Sequence, residues 1–84
     1  MILAWADTAW EDYLHWQAMD KTKLKRINAL IKDIQRTPFS GIGKPEPLAH
    51  NWAGFWSRRI DQEHRLVYRV TETHIEIAQA RYHY

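Results

Sequence analysis

The spacing of apolar side chains changes along the chain and separates predicted helices from predicted strands. Between residues 20 and 37, apolar positions lie three or four apart, which predicts an amphipathic helix. Asp20 can accept hydrogen bonds at the start of this helix, and Thr37-Pro38 closes it. Its apolar positions are Leu24, Ile27, Leu30, Ile31 and Ile34.

The N-terminal residues predict a short strand and a first helix. Residues 2–5 are apolar and fit a strand. Thr8 and Glu11 have the spacing of a capping box, in which a hydroxyl and a carboxylate bind the first free backbone N–H groups of a helix. We therefore predict a helix over about residues 8–17.

All three prolines and all three glycines lie between Pro38 and Gly54, which predicts a long irregular loop. Loops of this length usually carry function, so chemistry is expected there first. Strand-like stretches follow at 55–60, 65–70 and 75–81, and two short polar turns separate them. The fold class is α+β: two N-terminal helices packed on one face of a small, mostly antiparallel twisted sheet.

Placing Glu72 and Thr73 at the tip of the last hairpin predicts its register. The expected opposite pairs are Leu66 with Gln79, Tyr68 with Ile77, and Val70 with Ile75. The helices should cover that face, leaving a shallow, positively charged concavity on the other. The residues expected on the open face are Arg65, Val67, Arg69, Glu76, Ala78 and Ala80. In this register His83 points away from Arg65 unless the last strand bulges or bends.

Composition bounds the class of protein. The 84 residues predict one domain, 1–84, because so short a chain has room for a single core. The chain has no cysteine and no apolar run of the ~20 residues that span a bilayer, so a soluble cytoplasmic protein is expected. The net charge is +2, and residues 21–36 hold six basic side chains against one acid. Either a solvated helix face or a nucleic-acid footprint explains that helix.

Glu46 is the candidate general base. Metal-independent cleavage of RNA needs a base for the 2′-hydroxyl, an acid for the departing 5′-oxygen and fixed positive charge for the phosphorane. Glu46 lies between Pro45 and Pro47, which restrict the backbone and so reduce the entropy lost in fixing the carboxylate. The alternative is an ordinary surface glutamate in a proline-rich loop.

His83 is the candidate general acid, because an imidazole titrates near neutral pH. A carboxylate at the end of Tyr84 would favour the imidazolium form. The alternative is a frayed tail, although residues 81–84 contain three aromatic rings and an arginine, which is unusual for a disordered terminus.

Arg65 is the candidate phosphate clamp among Arg58, Arg59 and Arg65, because guanidinium groups pair with phosphate oxygens and Arg65 falls on the open face. A cross-strand ion pair with Asp61, Glu63 or Glu76 is the alternative.

The other aromatic and imidazole side chains have simpler interpretations. Most of the five tryptophans are expected in the core, while Trp52, Tyr82 and Tyr84 remain candidates for stacking on bases. The five histidines lack metal-site spacing, and no cysteine completes a ligand set, so no metal and no cofactor is predicted.

Five motifs in order resemble the YoeB-type toxins of the RelE superfamily, bacterial ribosome-dependent mRNA interferases. They are Thr37-Pro-Phe, Gly43-Lys-Pro-Glu-Pro-Leu48, Gly54-Phe-Trp-Ser-Arg-Arg-Ile60, Glu63-His-Arg-Leu-Val-Tyr68 and Arg81-Tyr-His-Tyr84. The resemblance covers the whole chain and implies a RelE-like fold, similar to microbial ribonucleases, that cuts mRNA in the ribosomal decoding site.

Transferred to this chain, the resemblance gives each site residue a role. Glu46 is the base, His83 the acid and Arg65 the stabiliser of the transition state, with Arg59 and Tyr84 orienting the RNA. It also implies a cognate YefM-type antitoxin that covers or disturbs the site, and homodimers.

The chain departs from the family's pattern at Ala49, where a lysine near the scissile phosphate is common. Lys44 is the candidate to replace that charge. Two other functions fit the same sequence: a noncatalytic RNA- or ribosome-binding adaptor, and a module that binds only protein.

Overall fold

The computed structural model describes residues 1–83 and contains two helices and five strands. Strand β1 spans Ile2–Trp5, helix α1 Asp7–Met19 and helix α2 Lys21–Arg36. Strands β2 (Glu46–Pro47), β3 (Trp56–Arg59), β4 (Arg65–Val70) and β5 (His74–Gln79) follow, with a 3-10 turn at His50–Trp52. The sheet order is β1-β5-β4-β3-β2, and only the β1–β5 pair among these strands is parallel. The α+β fold is confirmed.

The two helix starts have different outcomes. Asp20 caps α2 as predicted, since its carboxylate accepts hydrogen bonds from the backbone N–H groups of Thr22 and Lys23 at 3.0 and 3.3 Å. The capping box at Thr8 is wrong, because α1 begins one residue earlier and its N-cap, Ala6, has no side-chain hydrogen bond. Thr8 therefore lies inside the first turn, and α1 extends beyond the predicted end to Met19.

The core lies between the helices and one face of the sheet, as predicted. The apolar face of α2 packs there, and Trp16 of α1 joins it. The fully buried strand residues on this face are Leu66, Tyr68, Ile75 and Ile77, and Ala80, which follows β5, is buried with them. Trp5 and Trp56 pack against the same cluster, which confirms the core role predicted for most tryptophans, whereas Trp10 is 45% exposed.

A β-bulge at Ala78 changes the predicted register of the last hairpin. Tyr68 pairs with Ile77 and Val70 with Ile75, as expected, but Gln79 pairs with Val67 instead of Leu66. Ala78 is the extra residue, and every side chain after it changes face. Ala80 therefore lies in the core and not on the open face. In the core its carbonyl oxygen accepts a hydrogen bond from Trp16 Nε1 at 2.8 Å, and its N–H donates to an Asp12 carboxylate oxygen at 3.0 Å.

The segment from residue 38 to 54 is less irregular than predicted, because it contains β2 and the 3-10 turn. The Arg58 side chain fixes the N-terminal part of this segment by hydrogen bonds. The buried guanidinium donates to the carbonyl oxygens of Thr37, Ser40 and Ile42 and to the Asp33 carboxylate. Gly41 has a φ of +115°, and a Cβ there would collide with that carboxylate. This part of the loop is thus pressed against α2.

Among residues 1–83, no helix is long and apolar enough to cross a membrane.

Candidate functional site

Glu46, Arg59 and Arg65 belong to three adjacent strands and share the face of the sheet opposite the helices. Glu46 pairs with Ser57, and Ser57 with Val67, so these three form one cross-strand row. Arg59 and Arg65 form the next row on the same face. Strand spacing and rise put the Cα atoms of Glu46 and Arg65 about 12 Å apart, close enough for both side chains to reach one group between them.

Arg65 is held by the turn that precedes it. Its side chain is 8% exposed, and Nη1 donates to the carbonyl oxygens of Asp61, Gln62 and His64 at 2.7, 3.2 and 3.1 Å. A guanidinium carries five N–H donors, of which Nε and Nη2 carry three. Neither Asp61 nor Glu76 forms the alternative ion pair with Arg65, since their carboxylates bind Lys23 and Arg69.

The chain turns back towards Arg65 just before His83. The Tyr82 carbonyl oxygen accepts hydrogen bonds from the Arg65 backbone N–H at 2.9 Å and from Gln79 Nε2 at 3.2 Å. Because that carbonyl belongs to the peptide joining residues 82 and 83, His83 follows directly from a point fixed beside Arg65. The register predicted from the sequence required the last strand to bulge or bend if His83 is to point to the same face as Arg65. The bulge at Ala78 is such an irregularity. His83 is exposed, and Tyr84 lies outside the described residues.

Arg59 and Lys44 lie beside Glu46. The Arg59 backbone N–H donates to the Gly43 carbonyl oxygen at 2.7 Å, which extends the contact between β2 and β3 to the residue preceding Lys44. Both side chains are exposed, and Lys44 has a φ of +52°. Three cationic residues, Lys44, Arg59 and Arg65, therefore accompany the Glu46 carboxylate in this part of the sheet.

The positive concavity predicted near the alanines is neutralised. Arg69 pairs with Glu76 through two nitrogens at 2.7 Å each, and its guanidinium covers the Phe55 ring at 4.9 Å. The positive charge of the open face is concentrated instead around Arg59 and Arg65.

Arg58 and Asp61 have structural contacts that the sequence did not reveal. Arg58 is fully buried on the helix side, where it also binds the Tyr68 hydroxyl at 3.1 Å. The Asp61 carboxylate binds Lys23 of α2 at 2.9 Å and accepts hydrogen bonds from the backbone N–H groups of Glu63 and His64. The turn at 61–64 is thereby tied to α2 on one side and to Arg65 on the other.

The ionisation of Asp61 predicts a pH-dependent stability. Burial opposes the charged form, but Lys23 and the backbone N–H groups of His64 and Glu63 outweigh it and lower the pKa of Asp61 from 3.8 to about 2. A lowered pKa contributes stability that is complete above the unfolded pKa and disappears as pH falls through the folded one. Asp61→Asn should therefore be less stable than the wild type at pH 7, and the difference should shrink between pH 4 and pH 2.

Urea denaturation at several pH values measures this difference. Glu72→Gln, at the exposed tip of the β4–β5 hairpin, is the matched control and should leave stability unchanged over the same range. An Asp61→Asn variant whose deficit is equal at pH 7 and pH 2.5 would exclude an ionic role for this carboxylate.

No three histidine, aspartate or glutamate side chains in the described part of the chain come together as a metal-binding group. Glu46 supplies a carboxylate to this face, Arg59 and Arg65 supply guanidinium groups, and His83 follows in sequence from the point where the tail binds the Arg65 backbone.

Comparison with known proteins shows the family of the chain. The family described as "YoeB-like toxin of bacterial type II toxin-antitoxin system" matches residues 5–84. Toxin YoeB of Escherichia coli K12 is 62% identical over 84 residues, which is the full length of both chains.

Solved structures give the same result. The YoeB/ParE toxin from Agrobacterium tumefaciens superimposes with a TM-score of 0.97 at 50% identity, covering all of both chains. A YoeB dimer and a YoeB-YefM complex from Staphylococcus aureus give TM-scores of 0.94 and 0.92 at 48% and 47% identity, covering all of this chain and 98% of theirs. The sequence, fold and matched length together show that the chain belongs to the YoeB toxins of bacterial type II toxin–antitoxin systems.

Proposed function

We propose that this toxin is a metal-independent endoribonuclease that cleaves mRNA in the decoding site of the ribosome, and that it acts in the cytoplasm. The observation that carries the proposal is the anchoring of the tail on Arg65, beside the strands that bear Glu46 and Arg59. Glu46 and Arg65 supply a carboxylate and a guanidinium on one face of the sheet, and in this proposal the His83 imidazole joins them there. These are the three kinds of group that phosphodiester transfer through a 2′-hydroxyl requires.

Each group has one role in the proposed reaction. The Glu46 carboxylate takes the proton of the 2′-hydroxyl, whose oxygen attacks the adjacent phosphorus. The Arg65 guanidinium stabilises the negative charge of the phosphorane through donors that are fixed before the substrate arrives. The His83 imidazolium gives a proton to the 5′-oxygen as the P–O5′ bond breaks, leaving a 2′,3′-cyclic phosphate. Arg59, Lys44 and Tyr84 bind and orient the RNA.

Product analysis tests the reaction. Incubating the purified chain with ribosomes programmed with mRNA should give fragments that end in a 2′,3′-cyclic phosphate or a 3′-phosphate. Glu46→Gln should abolish these ends, while Glu72→Gln should not. A noncatalytic RNA- or ribosome-binding adaptor would bind and leave the mRNA intact. A module that binds only protein would lack the steep salt dependence of affinity that phosphate contacts impose.

Ala49 predicts a gain of function. Ala49 is exposed, follows β2 by two residues and lines a hollow together with Leu48, His50 and Trp52. Because a lysine there adds a positive charge near Glu46 and the proposed phosphate site, Ala49→Lys should raise the single-turnover rate several-fold, to about tenfold. Ala53→Lys adds the same charge at another exposed position and is the control. Equal rates for the wild type and Ala49→Lys would show that the missing charge does not limit the reaction.

We further propose a YefM-type antitoxin and a second copy of this chain as partners. The support comes from the Staphylococcus aureus relatives, which are described as a YoeB dimer and as a YoeB-YefM complex and which match all of this chain. Size-exclusion chromatography with light scattering, alone and with the cognate antitoxin, measures both associations.

A further inference from the structure

His64 joins three parts of the molecule that surround the proposed site. It is the last residue of the turn before Arg65, and its imidazole packs edge-on against Trp16 of α1, with ring centroids 4.9 Å apart. The Tyr82 ring lies 6.0 Å away on the tail. With its side chain only 12% exposed, His64 is held between helix and tail.

The imidazole also binds the tail backbone directly. Its Nδ1 lies 2.8 Å from the Tyr82 backbone nitrogen, which can only donate, so Nδ1 must accept. An accepting Nδ1 fixes the tautomer, because the proton of a neutral imidazole must then sit on Nε2. Nε2 in turn lies 3.6 Å from a Glu63 carboxylate oxygen. An imidazolium has no acceptor and could not make this bond.

The backbone of Tyr82 requires such a restraint. Its φ is +65°, in the left-handed region that bulky side chains rarely occupy. Conformations of this kind persist when several contacts impose them. Here the N–H binds His64, and the carbonyl oxygen binds the Arg65 N–H and Gln79 Nε2. His64 supplies the side-chain acceptor in this set, and the next residue along the chain is His83.

We infer that His64 is a positioning residue: its Nδ1 holds the backbone of the tail at Tyr82 and so presents His83 to the scissile phosphate beside Arg65. This inference rests on the proposed function for the role of His83, but the contact between His64 and the tail does not. Losing the acceptor should leave the fold and RNA binding intact while the tail samples other conformations. The acid would then be misplaced, and kcat would fall while KM changed little.

Two variants separate the hydrogen bond from the packing. His64→Phe keeps an aromatic ring against Trp16 and Tyr82 but has no acceptor. His64→Asn loses the ring and keeps an amide oxygen close to the position of Nδ1. We expect His64→Phe to lower kcat roughly tenfold to a hundredfold, in line with the cost of misplacing a reacting group, with KM within about twofold. His64→Asn should recover most of that loss.

Two measurements on the same variants make the outcome decisive. In the free toxin, amide hydrogen exchange at Tyr82 should accelerate in His64→Phe and return towards the wild-type rate in His64→Asn. Melting temperature reports whether each variant folds. Equal kcat in folded His64→Phe and in the wild type would overturn this inference alone, and so would unchanged exchange at Tyr82. A wild-type chain that does not cleave RNA would overturn the proposed function and the positioning role with it, whereas the exchange result would still decide the tail contact.

Discussion

Replacing His83 with glutamine is expected to lower ribosome-dependent cleavage by about 10²–10⁴-fold, the usual contribution of a positioned general acid or base. Glutamine retains hydrogen-bonding capacity and approximate size but cannot give a proton to the 5′-oxygen. The Tyr82 carbonyl contact with Arg65 involves only the backbone, so the variant should fold and place its tail normally. Single-turnover rates measure the loss. The matched control is His74→Gln. In the wild type the His74 imidazole contacts Thr73 at the β4–β5 turn, away from the proposed site.

A modified substrate separates an acid from a binding residue. A sulfur atom in place of the bridging 5′-oxygen departs without needing a proton, so general-acid catalysis becomes unnecessary. With this RNA, His83→Gln should cleave nearly as fast as the wild type, while Glu46→Gln should remain slow. If His83→Gln is equally slow on both substrates, the imidazole does not act as the acid.

Replacing Arg58 with methionine is expected to destabilise the fold by about 3 kcal/mol or more, because the fully buried guanidinium is the shared donor for several polar groups, each of which costs about 1–3 kcal/mol when left without a partner. Asp33 would lose its counterion, and the carbonyl oxygens of Thr37, Ser40 and Ile42 would lose their donor. Small proteins are stable by only about 5–15 kcal/mol, so a large part of the margin would disappear. Urea denaturation measures the change in the free energy of unfolding.

Arg69→Met is the matched control for Arg58→Met. Arg69 also pairs with a carboxylate, that of Glu76, but both side chains are exposed to solvent, at 48% and 37%. Exposed pairs contribute about 0–1 kcal/mol, so this variant should unfold at nearly the wild-type urea concentration. Equal losses in the two variants would contradict the structural role assigned to the buried guanidinium.

Local patterns predicted most of the secondary structure. The apolar spacing of α2 and the cap at Asp20 come from neighbouring residues, and both are confirmed. Strand β4 has the predicted bounds. Strand β3 is one residue shorter than predicted at each end, and β5 begins one residue earlier and ends two residues earlier than predicted. Placing Glu72 and Thr73 at the tip of the last hairpin also predicted two cross-strand pairs correctly, Val70 with Ile75 and Tyr68 with Ile77.

The failures arose where tertiary contacts override local pattern. The alternation of larger apolar side chains with small or polar ones along β5 continues through Ala78. No local sequence feature therefore marks the bulge that moves the Ala80 side chain to the core face. The Arg58 network depends on a loop and a helix that are distant in sequence, and Arg58 resembled Arg59 and Arg65 until its face was known. The start of α1 at Asp7 shows that a capping-box spacing alone does not determine a helix boundary.

The sequence predicted the identity of the candidate site residues better than their spatial arrangement. Glu46, Arg59 and Arg65 stood out by residue type and motif, and the register brings them to one face. The path to His83 depended on a bulge or bend in the last strand, which the alternation of faces required but the sequence did not locate. His64 was missed because a histidine in a polar turn gives no signal of its hydrogen bond to residue 82.

The central claim is that Glu46, Arg65 and His83 act on one phosphodiester. A crystal structure of this toxin with a short RNA that lacks the 2′-hydroxyl at the cleavage position tests it most directly. We predict the phosphate on the Arg65 guanidinium, with the Glu46 carboxylate facing the 2′-carbon and the His83 imidazole within hydrogen-bond distance of the 5′-oxygen. A phosphate bound by Arg65 with the His83 imidazole on the helix side of the sheet would contradict the claim.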